Sequence, residues 1–281
     1  MSEKFSVFSW NTQGASQIEK NFNRIAPIID RESGDIFCLQ ECKAARGKIT
    51  QLRNCKDYER IISSNPRNHN IILSRLPVLH HEELPFPKSG GEALEPVLYA
   101  DIGVRTGIVR IYNCHFGITG IGIRGRLAQL RHVAHHAENF PGPVIICGDM
   151  NTTVPAAGWK RRLVEWFHEE PDEEMHVGGR YIDSDERYIF AEEANRLGFT
   201  EAFPLLKATW SVFYTSWQFL HLKLDWFLTK NLHVINARFG NYLTDHRPMT
   251  ARCQPIRAST RKSHALETPE NLQFQHLTYS P

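Results

Sequence analysis

The chain has 281 residues, enough for one large domain, with 41% apolar and 23% charged residues. These values are those of an ordinary globular protein and exclude a disordered, coiled-coil or collagen-like chain. The net charge of +2 is too balanced for a dedicated nucleic-acid coat, although a local basic patch suffices for an enzyme that works on a polyanion.

In chain order, Phe5 to Trp10 reads as a strand. Ser16 to Arg31 reads as a helix opened by the capping box Ser16/Glu19, with Ile18, Phe22, Ile25 and Ile29 on one face and Pro27 kinking or shortening it. Ile36 to Gln40, Ile71 to Ser74, Leu98 to Gly103 and Val109 to His115 are further strands. A helix from about Arg124 to Asn139 turns Leu127, Leu130, Ala134 and Ala137 inward and ends at Pro141-Gly142-Pro143. Val144 to Cys147 reads as a buried strand. Trp159 to His168 and Arg187 to Leu197 read as helices, the second capped by Gly198. Leu222 to Thr229 and Met249 to Cys253 close the core. Residues 254–281 form a polar tail, which leaves 1–253 as the folded domain. The mixture predicts a layered α/β or α+β sheet protein.

The six cysteines show no CxxC pairing, so no structural zinc site is expected. Cys38, Cys114 and Cys147 sit in apolar runs, as free thiols of a reducing compartment do. No stretch has the length of a membrane span and the N-terminus carries no signal peptide, so a cytoplasmic protein is expected.

Polar residues recur where the apolar strands end. Asn11 follows the first strand and Glu41 the second. Asn113 and His115 end another, with Cys114 between them turned to the opposite face. Asp149 and Asn151 follow Val144-Ile145-Ile146-Cys147-Gly148. Asp225 interrupts an apolar run, where a carboxylate needs a partner. Asp245-His246 precedes the last strand. Each alone has a plainer reading as a turn, a solvated strand end or a buried histidine. Gathered at one sheet rim, they suit one chemistry. Glu41, Asn11 and Asp245 offer the oxygens that Mg²⁺ takes. Asp149 can accept a proton from water. His115 and His246 can donate to phosphate oxygens, and Asp225 can hold one of these histidines in its tautomer.

In this order, the motifs Trp10-Asn11, Leu39-Gln40-Glu41, Asn113-x-His115, Gly148-Asp149-x-Asn151, Leu224-Asp225-Trp226 and Asp245-His246-x-Pro248 resemble the endonuclease/exonuclease/phosphatase superfamily, the deoxyribonuclease I-like group. The segment Ile71 to Pro77 is similar to one common in that group. So is Thr244 to Met249, with threonine where serine is usual. The resemblance covers about Phe5 to Cys253 and implies a four-layer α/β sandwich, two packed mixed β-sheets flanked by helices. It implies Mg²⁺ as cofactor, with Mn²⁺ a possible substitute. Glu41 would be the main metal ligand with Asn11 beside it and Asp245 assisting. Asp149 would orient or deprotonate the water, Asn151 would contact the scissile phosphate, and His246 paired with Asp225 would bind phosphate or act as acid/base. His115 matches a histidine of the deoxyribonuclease, sphingomyelinase and inositol-phosphatase branches, and Asn70 would contact substrate.

The expected substrate is a phosphate ester, with nucleic acid first. Lys43, Arg46 and Lys48 closely follow Glu41 and could grip flanking phosphates. Trp210, Phe213, Tyr214, Trp217 and Phe219 precede Asp225, and could stack on bases, enter a membrane interface or simply be buried. A lipid headgroup or small phosphorylated metabolite is the alternative substrate, and a non-catalytic binding module on the same fold is the second alternative.

Overall fold

The structure, a computed structural model, describes residues 4–12, 27–29, 31–32, 34–42, 57–64, 70–87, 94–117, 122–152, 186–211, 221–242 and 244–256. Two six-stranded sheets pack face to face. One has the order β13-β14-β1-β2-β4-β3, from Leu232–Phe239, Met249–Pro255, Phe5–Asn11, Ile36–Gln40, Ile71–Ser74 and Glu59–Ile62. The other has the order β5-β6-β7-β8-β12-β9, from Val78–Leu84, Val97–Val104, Gly107–His115, Val144–Asp149, Asp225–Lys230 and Thr200–Glu201. A small ribbon, β10 (Trp210–Ser211) with β11 (His221–Leu222), joins them at one end.

Three apolar layers hold the sandwich. Val7, Ile36, Cys38 and Ile72 of the first sheet meet Ala100, Ile111, Ile145 and Phe227 of the second, all buried. The outer face of the second sheet is covered by helices α1 (Gly122–Glu138) and α2 (Glu186–Arg196), through Leu127, Leu130, Val133, Phe190 and Ala194 against Tyr112, Ile146 and Trp226. The outer face of the first sheet is covered by Ile28 and Ile29 over Phe8, Phe37 and Leu73. This is the expected four-layer α/β sandwich of two mixed sheets. Strands buried on both faces read as continuous apolar runs, which is why β2, β4 and β8 were visible in the sequence.

Pro27 to Ile29 and Arg31 are helical, the end of the helix predicted over Ser16 to Arg31. The rest of it, the helix predicted over Trp159 to His168 and the tail beyond Ile256 lie outside the described residues. The strand predicted over Leu222 to Thr229 is two: β11 ends at Leu222 and β12 starts at Asp225. The last strand runs two residues beyond Cys253, where Gln254 pairs with His233 and Pro255 with Leu232. Gly198 closes α2 at φ +81°. Cys38, Cys42, Cys114, Cys147 and Cys253 are buried free thiols, and Cys55 lies outside the described residues. No helix among the described residues is long and apolar enough to cross a membrane.

Topology gathers the polar strand ends. β1 runs parallel to β2, and β7 parallel to β8. Their C-terminal ends therefore share one rim. β14 and β12 run antiparallel to β1 and β8, so their starts reach that same rim.

Candidate active site

Five strands and two loops set the side chains. Asn11 ends β1, paired in register with Gln40, and Glu41 follows with φ +54°. A non-glycine residue in the left-handed region is costly and is held only by its surroundings. Asn151 adopts φ +52° in the same rim. His115 and Asp149 lie opposite each other at the ends of β7 and β8, and Asp225 lies opposite Asp149 on its other side. Gly148 takes φ +126°, and a Cβ there would stand 2.1 Å from the Cys114 carbonyl oxygen. Glycine is required for β7 and β8 to approach this closely beside Asp149.

Asp149 is the hub. Asn11 Nδ2 donates to its Oδ2 at 2.8 Å and to Glu41 Oε1 at 2.9 Å. The Asn151 amide donates to Asp149 Oδ1 at 2.9 Å. His246 Nε2 stands 3.6 Å and His115 Nε2 4.0 Å from Asp149 Oδ2. Each histidine is backed by a carboxylate through its other nitrogen: His246 Nδ1 to Asp225 Oδ2 at 2.8 Å, His115 Nδ1 to Glu95 Oε2 at 3.0 Å. Such backing fixes ring orientation and raises basicity. Burial works against protonation of both rings, but the surrounding carboxylates outweigh it. Asp225, Asp245 and Asp149 hold His246 well above the usual histidine range. Glu95, Glu41 and Asp149 lift His115 to about 9. Burial pushes the Asp225 and Asp245 carboxyls up, with His246 opposing in both cases.

A supporting layer holds these groups. Trp10 Nε1 donates to the His246 carbonyl at 3.1 Å, and the His246 amide donates to Thr244 Oγ1 at 3.2 Å. Trp210 Nε1 donates to Asp245 Oδ2 at 3.0 Å, so this aromatic props a carboxylate. Thr209 Oγ1 accepts the amides of Leu224 and Asp225, each at 2.9 Å. Met150 N donates to the Leu224 carbonyl, and Asn151 Nδ2 to the Phe116 carbonyl.

The structure thus brings together Asn11, Glu41, His115, Asp149, Asn151, Asp225, Asp245 and His246. Asn70 starts the rim end of β4, one residue before Ile71, which pairs with Leu39. Its Oδ1 is buried without a hydrogen-bond partner. Lys43 and Arg46 lie outside the described residues, as do Lys48, Phe213, Tyr214, Trp217 and Phe219. Asn113, expected to reach the site with His115, instead bridges the sheets: it accepts from Gln40 Nε2 and donates to the Leu39 and Ile71 carbonyls. Glu95 was missed. It stands two residues before β6, which runs antiparallel to β7, so the strand-start rule that marks Asp225 marks Glu95 too.

The residues present fit a divalent cation. Glu41, His115 and Asp149 offer ligand atoms within 4.8 Å of one another, and so do Asp149, Asp225 and His246. Asp245 Oδ1 is buried with no hydrogen-bond partner, and so is His115 Nε2. Buried polar atoms of this kind are suited to bind a cation or a substrate group. Carboxylates outnumber imidazoles here, and an oxygen-rich acidic pocket suits a hard cation.

Comparison with known proteins agrees with this fold. D. rerio TDP2, complexed with single-strand DNA product, superposes with a TM-score of 0.61 at 16% identity over 90% of this chain and 100% of that one. An endonuclease/exonuclease/phosphatase protein from Bacteroides vulgatus gives 0.65 at 17% over 90% and 99%. The 3′ phosphatase NExo from Neisseria, bound to a product DNA hairpin, gives 0.57 at 19% over 88% and 98%. A search of curated proteins found no match. The family model described as endonuclease/exonuclease/phosphatase matches residues 8–246, and the chain is accordingly a member of that family and a phosphoric ester hydrolase.

Proposed function

We propose that this phosphoesterase is a Mg²⁺-dependent hydrolase of phosphodiester bonds in nucleic acid. The observation that carries the reading is the placement of Asp149 between two histidine–carboxylate pairs, His246–Asp225 and His115–Glu95. Glu41, with Asn11 and Asp245 beside it, would hold the metal, which supplies charge neutralisation at the phosphate when bound. Mn²⁺ would substitute.

Asp149, its two oxygens held by Asn11 and the Asn151 amide, orients the attacking water and accepts its proton. His246 uses Nδ1 on Asp225, leaving Nε2 to donate to a phosphate oxygen. His115 does the same from the other side with Glu95 behind it. Asn151 fixes the phosphate and Asn70 contacts the chain beyond it. Lys43 and Arg46 grip flanking phosphates. Donors placed in advance where negative charge grows lower the barrier without reorganisation. Nucleic acid is favoured among phosphate esters because two structures of this fold, from D. rerio and Neisseria, were solved with DNA products. The catalytic unit is the sandwich.

A substrate panel tests this. Single- and double-stranded DNA, RNA, sphingomyelin, phosphoinositides and a chromogenic diester are assayed with Mg²⁺ over a salt series. Oligonucleotide cleavage that falls steeply with salt is expected, because counterions are released from a polyanion on binding. Faster turnover of a lipid or small-molecule ester with weak salt dependence overturns the nucleic-acid reading.

A further inference from the structure

Lys223 is 1% exposed. A buried ammonium is expensive and persists only with partners. Its Nζ lies 3.3 Å from Glu201 Oε1, 3.2 Å from the Asp225 carbonyl oxygen and 4.6 Å from the centre of the Trp226 ring. The ion pair occupies a particular gap in the sheet. β12 is paired with β8 along its whole length, but on its other side β9 reaches only Leu228 and Thr229. Among the described residues no strand pairs with Asp225 and Trp226, the end that enters the active site, and Phe227 receives only the Ala202 amide on its carbonyl, at 3.0 Å.

Side chains meet the backbone groups on this side. Thr209 Oγ1 accepts the Asp225 amide, and Lys223 Nζ donates to the Asp225 carbonyl. Glu201 Oε2 accepts the Phe227 amide at 3.1 Å. Lys223 reaches further through its own backbone: its carbonyl accepts Thr152 Oγ1 at 2.6 Å, and Thr152 Oγ1 accepts Trp226 Nε1 at 2.9 Å. The segment that carries Asp225 is thereby tied to the loop that follows Asp149 and carries Asn151. A loose strand end would let Asp225 swing, and sub-ångström placement of the histidine it orients matters to rate.

We infer that Lys223, neutralised by Glu201, is a positioning residue for the Asp225–His246 pair. It touches neither substrate nor metal and acts by clamping the backbone of Asp225. This rests on the phosphoesterase reading of the site above.

The test compares wild type with Lys223→Met and with Lys223→Met/Glu201→Gln, alone and combined with His246→Ala. The double change removes both charges, so no unpaired ion is left buried and the fold is kept. In the double variant kcat is expected to fall about tenfold or more with KM nearly unchanged. In the His246→Ala background the same change should cost less than about twofold, because residues that act through one another are not additive. Circular dichroism and thermal melting confirm the fold of each variant. An unchanged kcat in a folded double variant overturns the inference. So does a loss of equal size with and without His246, which marks a general structural role. A wild-type chain that hydrolyses no phosphate ester fails the function proposal itself, a different result from active wild type with indifferent variants.

Discussion

Gln40 donates a 2.6 Å hydrogen bond from Nε2 to Asn113 Oδ1, joining the two sheets beneath the active site. Asn113 Nδ2 spans to the Leu39 and Ile71 carbonyls, each at 3.0 Å. One fully buried side chain thus satisfies groups on two strands of the facing sheet. Replacing it with leucine leaves those groups dry and unpaired. Asn113→Leu should lose about 2–4 kcal/mol, read as a lower urea midpoint with unchanged slope.

Gly148→Ala tests the close approach of β7 and β8. The added methyl meets backbone, which has no rotamer to yield, and the position is left-handed. A loss of at least about 3 kcal/mol is expected, from strain and overpacking together. Thermal melting measures it, and a variant as stable as wild type refutes the geometry.

Asp149→Asn and His246→Ala should each lower kcat by about 10³-fold or more, and the pair together should cost little beyond the worse single change. Asp225→Asn leaves a hydrogen-bond partner for His246 with the wrong polarity and should cost about 10²-fold or more. Steady-state kinetics on the best substrate of the panel measures all four.

Chelation should abolish hydrolysis, and Mg²⁺ or Mn²⁺ should restore it. Glu41→Gln is expected to raise the metal concentration needed for half-maximal rate at least about tenfold, and Asp245→Asn less. Metal titrations of initial rate check this. Activity untouched by chelator sinks the metal assignment.

Glu193 links the two helices that cover the second sheet, accepting from Arg131 at 2.6 Å and from Arg196 at 2.6 Å and 2.9 Å. Hydrogen bonds from Arg196 and then Arg131 lower its carboxyl from 4.5 to about 2. A carboxyl depressed by folding stabilises the native state above its unfolded value and loses that contribution as pH falls through its folded value. Glu193→Gln should therefore lower the melting temperature at pH 7, with the difference shrinking below pH 4.5 and gone near pH 2. A constant difference across that range contradicts the pairing.

Much of this arrangement was legible in the residues. Central strands such as Val144–Asp149 are buried on both faces and announce themselves as apolar runs. The carboxylates, amides and histidines at their rim stand out because each breaks or ends such a run. Edge strands gave no such signal. Val78-Leu79-His80-His81-Glu82-Glu83-Leu84 has four exposed residues in a row, and Leu232 to Phe239 is mostly solvated. Their pairing comes from a neighbour, not from a pattern of their own. Glu95 stayed hidden for a related reason: it belongs to the site only because β6 lies antiparallel to β7. Asn113 misled because alternation tells which face a side chain takes, not how far along it the groove extends.

Among the described residues the first and the last strand are hydrogen-bonded neighbours, Phe5 opposite Cys253 and Ser9 opposite Met249. Glu41 and His246 hang from that half of the molecule, and His115, Asp149 and Asp225 from the other. The hydrolytic centre therefore exists only once Met249–Pro255 has paired with Phe5–Asn11. Cleavage of the backbone between His246 and Met249 is expected to end hydrolysis, because it frees the loop of Asp245 and His246 from the strand that seats it.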